Sequence, residues 1–258
     1  MHTRRVRAEN PRIKEAVSPL KTLLMRGDTT MKVTWLTQAG LLFENERISV
    51  MVDPYLSDSV GERDPRYRRR MPIREEYLSY HPDVLIITHE HEDHLNLPTL
   101  SHILDTEKPI TVIAPLNAYR RLVELGGPHN YVLLRPHSVW SEKNVTFYAV
   151  SAAHSDTEAA GYIIDDGNRT YYVTGDTLYN YDVIDEVLEL VEDGVDYCFL
   201  PINGVGNNMN PKDASDFAYE IGARCAVPIH YGLFDDIEPS EFDFEDGMIL
   251  LPYKEIKL

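Results

Sequence analysis

Apolar residues fall along this chain in runs of four to seven, rich in β-branched and aromatic side chains and separated by Gly, Asn, Asp or Pro. Such runs read as strands with turn punctuation. Residues 32–36, 41–44, 47–53 and 83–88 predict four strands in the first third of the chain. Residues 110–115, 131–134, 145–150, 161–165, 170–175, 196–202 and 225–230 predict seven more, and Asp166-Gly167-Asn168 between two of these is a hairpin signal. Helical spacing appears over 98–105, 116–126, 181–193 and 211–222. Asn210 suits the N-cap of the last helix, Pro211 its first turn, and Asp213 its positive end. Many strands early, then helices interleaved with strands, predict a layered α/β fold with mixed sheets. No internal repeat or low-complexity tract interrupts the pattern.

With 258 residues, of which 43% are apolar, the chain is long enough for one large domain with a substantial core, or for two small ones. Residues 1–30 differ from the rest: seven basic residues face three acidic ones, and Pro19 interrupts a helix that Pro11 could start. They read as an N-terminal arm, flexible or docked on a neighbouring subunit, ahead of a domain over 31–258. A net charge of −17 disfavours nucleic acid and anionic membrane as partners, because phosphate binding needs a basic surface. No apolar run approaches the roughly 20 residues that cross a bilayer, and the N-terminus lacks the apolar segment of a secretory signal. Cys198 and Cys225 lie outside any Cys-x-x-Cys spacing and fit a reducing compartment, so cytoplasm is the expected location.

Residues 83–96 carry the chemistry. A strand-like run ends directly in His89-Glu90-His91-Glu92-Asp93-His94. Neutral imidazoles and carboxylates without thiolate suit Zn²⁺, Mn²⁺ or Fe. His89 and His91 can point the same way by their two-residue spacing, and Asp93 with His94 can serve a second ion. Two ions need more ligands than this phrase supplies. His154, Asp176 and His230 each follow a predicted strand, so sheets could bring them to one edge. A lone histidine at a strand end is more often a hydrogen-bonded loop residue, but the constellation favours metal. His2, His81, His102, His129 and His137 lack this setting and read as surface or structural. Asp53, before Pro54, serves equally as a turn cap or as a carboxylate behind a ligand histidine. Asn203, Asn207, Asn208 and Tyr231 are candidate hydrogen-bonding groups near the metals, although turn chemistry explains the asparagines as well.

The phrases Thr88–His94, Ala152–Asp156, Gly175–Thr177 and Pro228–His230 resemble, in order and approximate spacing, the metallo-β-lactamase superfamily. The resemblance spans most of the chain from Met31 onward. It implies an αββα sandwich of two mixed β-sheets flanked by helices, with two divalent metal ions (Zn or Mn) at one edge. Carried over by residue, His89, His91 and His154 would hold the first ion, and Asp93, His94 and His230 the second, with Asp176 bridging. Glu90 and Glu92 then become spacers facing away. Residues 52–57, 174–180 and 200–211 look more narrowly like the branch of L-ascorbate-6-phosphate lactonase and related metal-dependent hydrolases. The opening phrase departs from that branch, with Thr37 and Gln38 where many members carry Gly-His.

The implied chemistry is hydrolysis by a hydroxide held between two metals, with Asp93 orienting or accepting a proton. The expected substrate is a lactone or related ester of a small, sugar-like, phosphorylated or unphosphorylated compound. A small phosphodiester is the alternative, and a non-catalytic metal-binding protein is a third, weaker reading. The six arginines between 61 and 77 are a substrate-anion site, a surface loop pairing with local Glu62, Glu75 and Glu76, or an interface. A homo-oligomer is compatible with the family resemblance.

Overall fold

A computed structural model describes residues 30–258, so all of the expected arm except Thr30, and His2 with it, lies outside the described residues. Strands β1 (Lys32–Trp35), β2 (Leu41–Glu44) and β3 (Ser49–Val52) form an antiparallel meander, and β4 (Val84–Ile86), β5 (Thr111–Ala114) and β6 (Asn130–Leu133) then add in parallel. With β13 (Ile256–Lys257) on the other edge they make a seven-stranded sheet in the order β13-β1-β2-β3-β4-β5-β6. The second sheet has six strands, β12-β11-β10-β9-β8-β7. Here β7 (Val139–Glu142), β8 (Val145–Ser151), β9 (Ala160–Asp165) and β10 (Thr170–Val173) are antiparallel, while β10, β11 (Tyr197–Pro201) and β12 (Cys225–Ile229) are parallel. Pro228, which cannot donate to a ladder, lies in the edge strand β12.

The helices are α1 (Ser59–Arg63), α2 (Leu97–Ile103), α3 (Leu116–Leu122), α4 (Tyr181–Leu190) and α5 (Pro211–Glu220). Alternation along the central strands divides the core. On β2, Leu41 and Phe43 enter the core between the sheets, where Phe43 meets Phe199 edge-on at 5.1 Å between centroids. Leu42, Met51 and Leu85 point the other way, onto Leu100, Ile103, Ala118 and Leu122 of α2 and α3. Burial on both faces explains why these strands read as continuous apolar runs. On the far side, Val183 and Val187 of α4 and Phe217 of α5 cover the second sheet. The arrangement is the expected αββα sandwich of two mixed sheets.

All eleven predicted strands form, several of them shorter than their apolar runs. The pattern did not disclose β7, β13 or the short α1. The run 116–126 ends its α-helix at Leu122 and continues as a 3₁₀ turn over Val123–Leu125, closed by Gly126 at φ 67°. Among the described residues, no helix is long and apolar enough to cross a membrane.

β1, β3, β4, β8, β10 and β12 all end at the same edge of the sandwich, so the loops that follow them meet there.

Candidate metal centre

Four of those strand ends deliver one cluster. The loop after β4 carries His89, His91, Asp93 and His94, β8 leads to His154, β10 to Asp176 and β12 to His230. Three groups of side chains, His89/His91/His154, His89/His94/Asp176 and Asp93/His94/His230, bring their ligand atoms within 4.8 Å of one another. The Nε2 atoms of His94 and His230 stand 3.3 Å apart, and each lies 3.3 Å from Asp176 Oδ1. Asp93 Oδ2 adds a fourth corner, 3.4 Å from His230 Nε2 and 3.8 Å from His94 Nε2. Ligands at about 2.0–2.2 Å from a tetrahedral ion are separated by about 3.3–3.6 Å. His94 Nε2, His230 Nε2 and Asp176 Oδ1 therefore already stand at the mutual spacing of tetrahedral ligands, with Asp93 Oδ2 at that spacing from His230 and slightly farther from His94. Beside them, His154 Nε2 and His91 Nδ1 are 3.1 Å apart. His89 Nε2 and Asp176 Oδ1 are buried and make no hydrogen bond. Buried polar atoms ordinarily find partners, so this donor set fits a divalent cation.

Four of the five histidines are held through their other nitrogen, which is how metal ligands are kept in one tautomer. His94 Nδ1 lies 2.8 Å from Asp53 Oδ2. The same carboxylate accepts from the Thr88 hydroxyl at 2.6 Å and from the Thr88 backbone N–H at 2.8 Å. The Thr88 hydroxyl is in turn 3.0 Å from His89 Nδ1, so one buried aspartate orients two imidazoles. His154 Nδ1 faces the Asn207 carbonyl at 3.3 Å, and His230 Nδ1 lies 3.0 Å from the Asn203 amide. The Asn203 atom at that distance is its amide nitrogen Nδ2, while its carbonyl oxygen faces the Val205 N–H at 3.5 Å. Gln38 donates to Asp93 Oδ2 at 2.9 Å, and Asn208 donates to Asp176 Oδ2 at 3.0 Å.

The backbone is strained where it delivers these groups. Thr37 (φ 74°), Gln38 (φ 50°), Asp53 (φ 42°), Asn207 (φ 67°) and His230 (φ 56°) all occupy the left-handed region. Non-glycine residues persist there only when their surroundings over-determine them, and they concentrate at functional sites. The Gln38 carbonyl accepts from the Trp35 indole at 2.8 Å and from the His230 N–H at 3.0 Å, while Arg69 donates to Thr37 Oγ1 at 2.8 Å.

The electrostatics agree with a cation-seeking site. Burial opposes the charged form of His94, but Asp176, Asp93 and Asp53 outweigh it and hold that imidazole well above its ordinary pKa. His230 is raised in the same way, burial being overcome by Asp176 and Asp93. Burial opposes ionisation of Asp176 too, yet His230 and His94 hold its carboxyl well below the usual range, and Asp93 is likewise depressed. Burial, reinforced by His94, pushes His89 well below the usual value, and burial lowers His154. Those two imidazoles present uncharged nitrogens.

The remaining sequence candidates sort clearly. Asn203, Asn207 and Asn208 line a cleft of about 340 Å³ over the cluster, together with Val60, Tyr67, Val205 and Phe234. Tyr231 does not line it. The left-handed turn at His230 sends the next side chain into the core, where the Tyr231 ring packs on Trp35 at 5.0 Å. Glu92 pairs with Arg63 and so faces away from the cluster. His81 and His129 bond the carbonyls of Ile103 and Leu104, and His137 lies 3.2 Å from Glu186, all outside the cluster. Apart from Arg69, the arginines of the basic stretch pair with nearby carboxylates. Arg66 pairs with Asp64 at 2.6 Å, Arg68 with Asp58 at 3.8 Å, Arg74 with Glu76 at 3.3 Å, and Arg70 with Asp236. Arg69 lies 5.0 Å over the Tyr55 ring while bonding Thr37. Thr88 and Asp156 also support the cluster, although neither residue type signals this in the sequence. Asp156 accepts from the Glu90 N–H at 3.2 Å and from Asn117 at 2.8 Å, tying the His89–His94 loop to the His154 loop.

Known proteins share this architecture. A UPF0173 metal-dependent hydrolase of an Exiguobacterium species is 28% identical over 247 residues, spanning 88% of this chain and 100% of its own. A UPF0173 protein of Pyrococcus furiosus is 26% identical over 229 residues, 83% of this chain and 90% of its own. Among solved structures, Igni18, a metallo hydrolase from Ignicoccus hospitalis, superposes with a TM-score of 0.73 at 19% identity, covering 89% of this chain and 99% of that one. At that identity the likeness speaks to the fold alone. The sequence model of the beta-lactamase superfamily domain matches residues 49–231, which run from β3 through every strand end of the cluster, and the chain belongs to that family.

Proposed function

We propose that this protein is a metal-dependent hydrolase that opens a lactone or related ester of a small molecule with two divalent ions, Zn or Mn. The observation that carries the reading is the set of buried nitrogen and oxygen atoms at ligand spacing, two of them without any hydrogen-bond partner. His89, His91 and His154 would hold one ion, and Asp93, His94 and His230 the other. Asp176 would be shared, because its Oδ1 faces both His94 and His230 while its carboxylate also groups with His89. Bound there, the ions supply Lewis acidity, which acidifies water toward a pKa of ~7 and polarises the scissile carbonyl.

The chain's own groups do the rest. Asp93 is the least buried of the three cluster carboxylates and lines the cleft, so it meets substrate water and can take or orient its proton. Gln38 holds that carboxylate in place through its amide. Asp53 keeps the His94 proton on Nδ1 and leaves Nε2 free. Asn208 restrains Asp176, and Asn203 restrains His230. Adjacent ligand triads also suit in-line displacement at phosphorus, so a small phosphodiester is the second reading.

The test is metal content by mass spectrometry followed by hydrolysis of a panel of lactones, simple esters and a chromogenic phosphodiester with Zn²⁺ or Mn²⁺. One to two ions per chain, and ester turnover abolished in His91→Ala, are expected. Full activity in rigorously metal-free protein would refute the metal reading, and turnover of the diester alone would replace the lactonase reading.

A further inference from the structure

The cleft over the cluster has an uneven chemistry. It is lined on one hand by His91, Asp93, Asp176 and His230 of the cluster with three asparagines, and on the other by Val60, Tyr67, Val205 and Phe234. Phe234 stands between two tyrosines, edge-on to Tyr55 at 5.8 Å and to Tyr67 at 5.9 Å. Aromatic edges held in this way form a fixed wall that a planar apolar group can pack against. Tyr67 and Val205 are 45% and 59% exposed, so the apolar surface continues to the mouth of the cleft. Large apolar side chains left open around a concave site mark a binding surface.

No lysine or arginine lines the cleft among the described residues. The arginines closest in sequence are engaged elsewhere. Arg63 pairs with Glu92, Arg66 with Asp64 and Arg70 with Asp236, and Arg68 lies 3.8 Å from Asp58. Arg69 is spent on Thr37 and the Tyr55 ring, behind the wall rather than in front of it. A phosphate or carboxylate on the far part of a substrate would give up water there and meet only side-chain amides and apolar surface.

Building on the hydrolase reading, we propose that the cleft selects uncharged substrates bearing a compact aromatic or aliphatic group, with Tyr67 and Phe234 as its specificity-determining wall. This departs from a phosphorylated sugar-like substrate. The reacting carbonyl sits over the cluster, the three asparagines serve polar atoms next to it, and the remote group packs on the two rings.

Binding tests the selectivity without relying on turnover. Zinc-loaded protein is titrated calorimetrically with acetohydroxamate, benzohydroxamate and 4-carboxybenzohydroxamate, which share one metal-seeking head and differ only in the remote group. Benzohydroxamate should bind at least tenfold more tightly than either of the others. In both Tyr67→Ala and Phe234→Ala the benzohydroxamate-to-acetohydroxamate affinity ratio should fall at least fivefold. The Tyr67 variant guards against a folding effect, since that ring is largely solvent-facing. Equal or tighter binding of the carboxylated probe, or a ratio unmoved by both substitutions, overturns the proposal. A protein that shows the aromatic preference yet hydrolyses neither the esters nor the phosphodiester keeps this inference and loses the hydrolase reading. One that turns over esters without the preference does the reverse.

Discussion

Replacing Asp53 by asparagine isolates the contribution of a residue that touches no substrate. Its carboxylate is fully buried and accepts three hydrogen bonds, from the Thr88 N–H at 2.8 Å, the Thr88 hydroxyl at 2.6 Å and His94 Nδ1 at 2.8 Å. Asparagine preserves the shape and, through Oδ1, the bond from the Thr88 backbone. Its amide nitrogen then faces the hydroxyl and His94, and both of these had been donors. The hydroxyl can rotate and accept. His94 can only accept by moving its proton to Nε2, the atom that points at Asp176 and His230. Its lone pair is thereby withdrawn from the cluster. Loss of a carboxylate behind a ligand histidine typically weakens metal binding by about 10–100-fold, or roughly 1.4–2.8 kcal/mol. Zinc affinity is read by competition with a chromophoric chelator at fixed pH, and far-UV circular dichroism verifies that the fold is kept. A folded Asp53→Asn protein with affinity within twofold of the wild type would refute the orienting role.

Three further outcomes are expected. Gly175 has φ +61°, and a Cβ there would lie 2.9 Å from Thr88 Cβ and 3.1 Å from its hydroxyl oxygen. Gly175→Ala should therefore lower stability by about 2–4 kcal/mol in urea unfolding and weaken zinc binding as well, since Thr88 supports Asp53. The Cys225 thiol is pushed up to about 11, by burial first and then by Asp246, and the fully buried Cys198 is raised by burial. At pH 8 the folded protein should react with a disulfide reagent roughly 200-fold more slowly than the urea-unfolded chain, and comparable rates would contradict these environments. Arg69→Ala removes the donor to Thr37 Oγ1 and the cation over the Tyr55 ring. It should cost about 2 kcal/mol in a thermal melt, whereas exposed Arg74→Ala should stay within about 0.5 kcal/mol.

The order of residues by itself determines more of this protein than its irregular loops suggest. Strands β3, β4, β5 and β10–β12 are buried on both faces, so each announces itself as an apolar run. The metal-type side chains follow directly at the ends of β4, β8, β10 and β12. What pattern alone misses is weak in sequence for physical reasons. β7 alternates exposed and half-buried residues at a sheet edge, and β13 is two residues long and exists because β1 offers it a partner more than 200 positions away.

Other features depend on contacts that no local window contains. Asp53 reads equally as a turn cap and as a histidine's carboxylate until β3 and β4 lie side by side and bring it to Thr88 and His94. Tyr231 adjoins a cluster histidine in sequence, but the left-handed backbone at His230 sends its ring to Trp35. The arginines of 61–77 resemble an anion site in composition, and only the folded chain turns them onto Glu92, Asp64, Asp58, Thr37 and Asp236. Residue types determine which chemistry is available. Tertiary structure decides which atoms stand about 3.3 Å apart, because that spacing comes from parallel strands in two sheets ending at one edge.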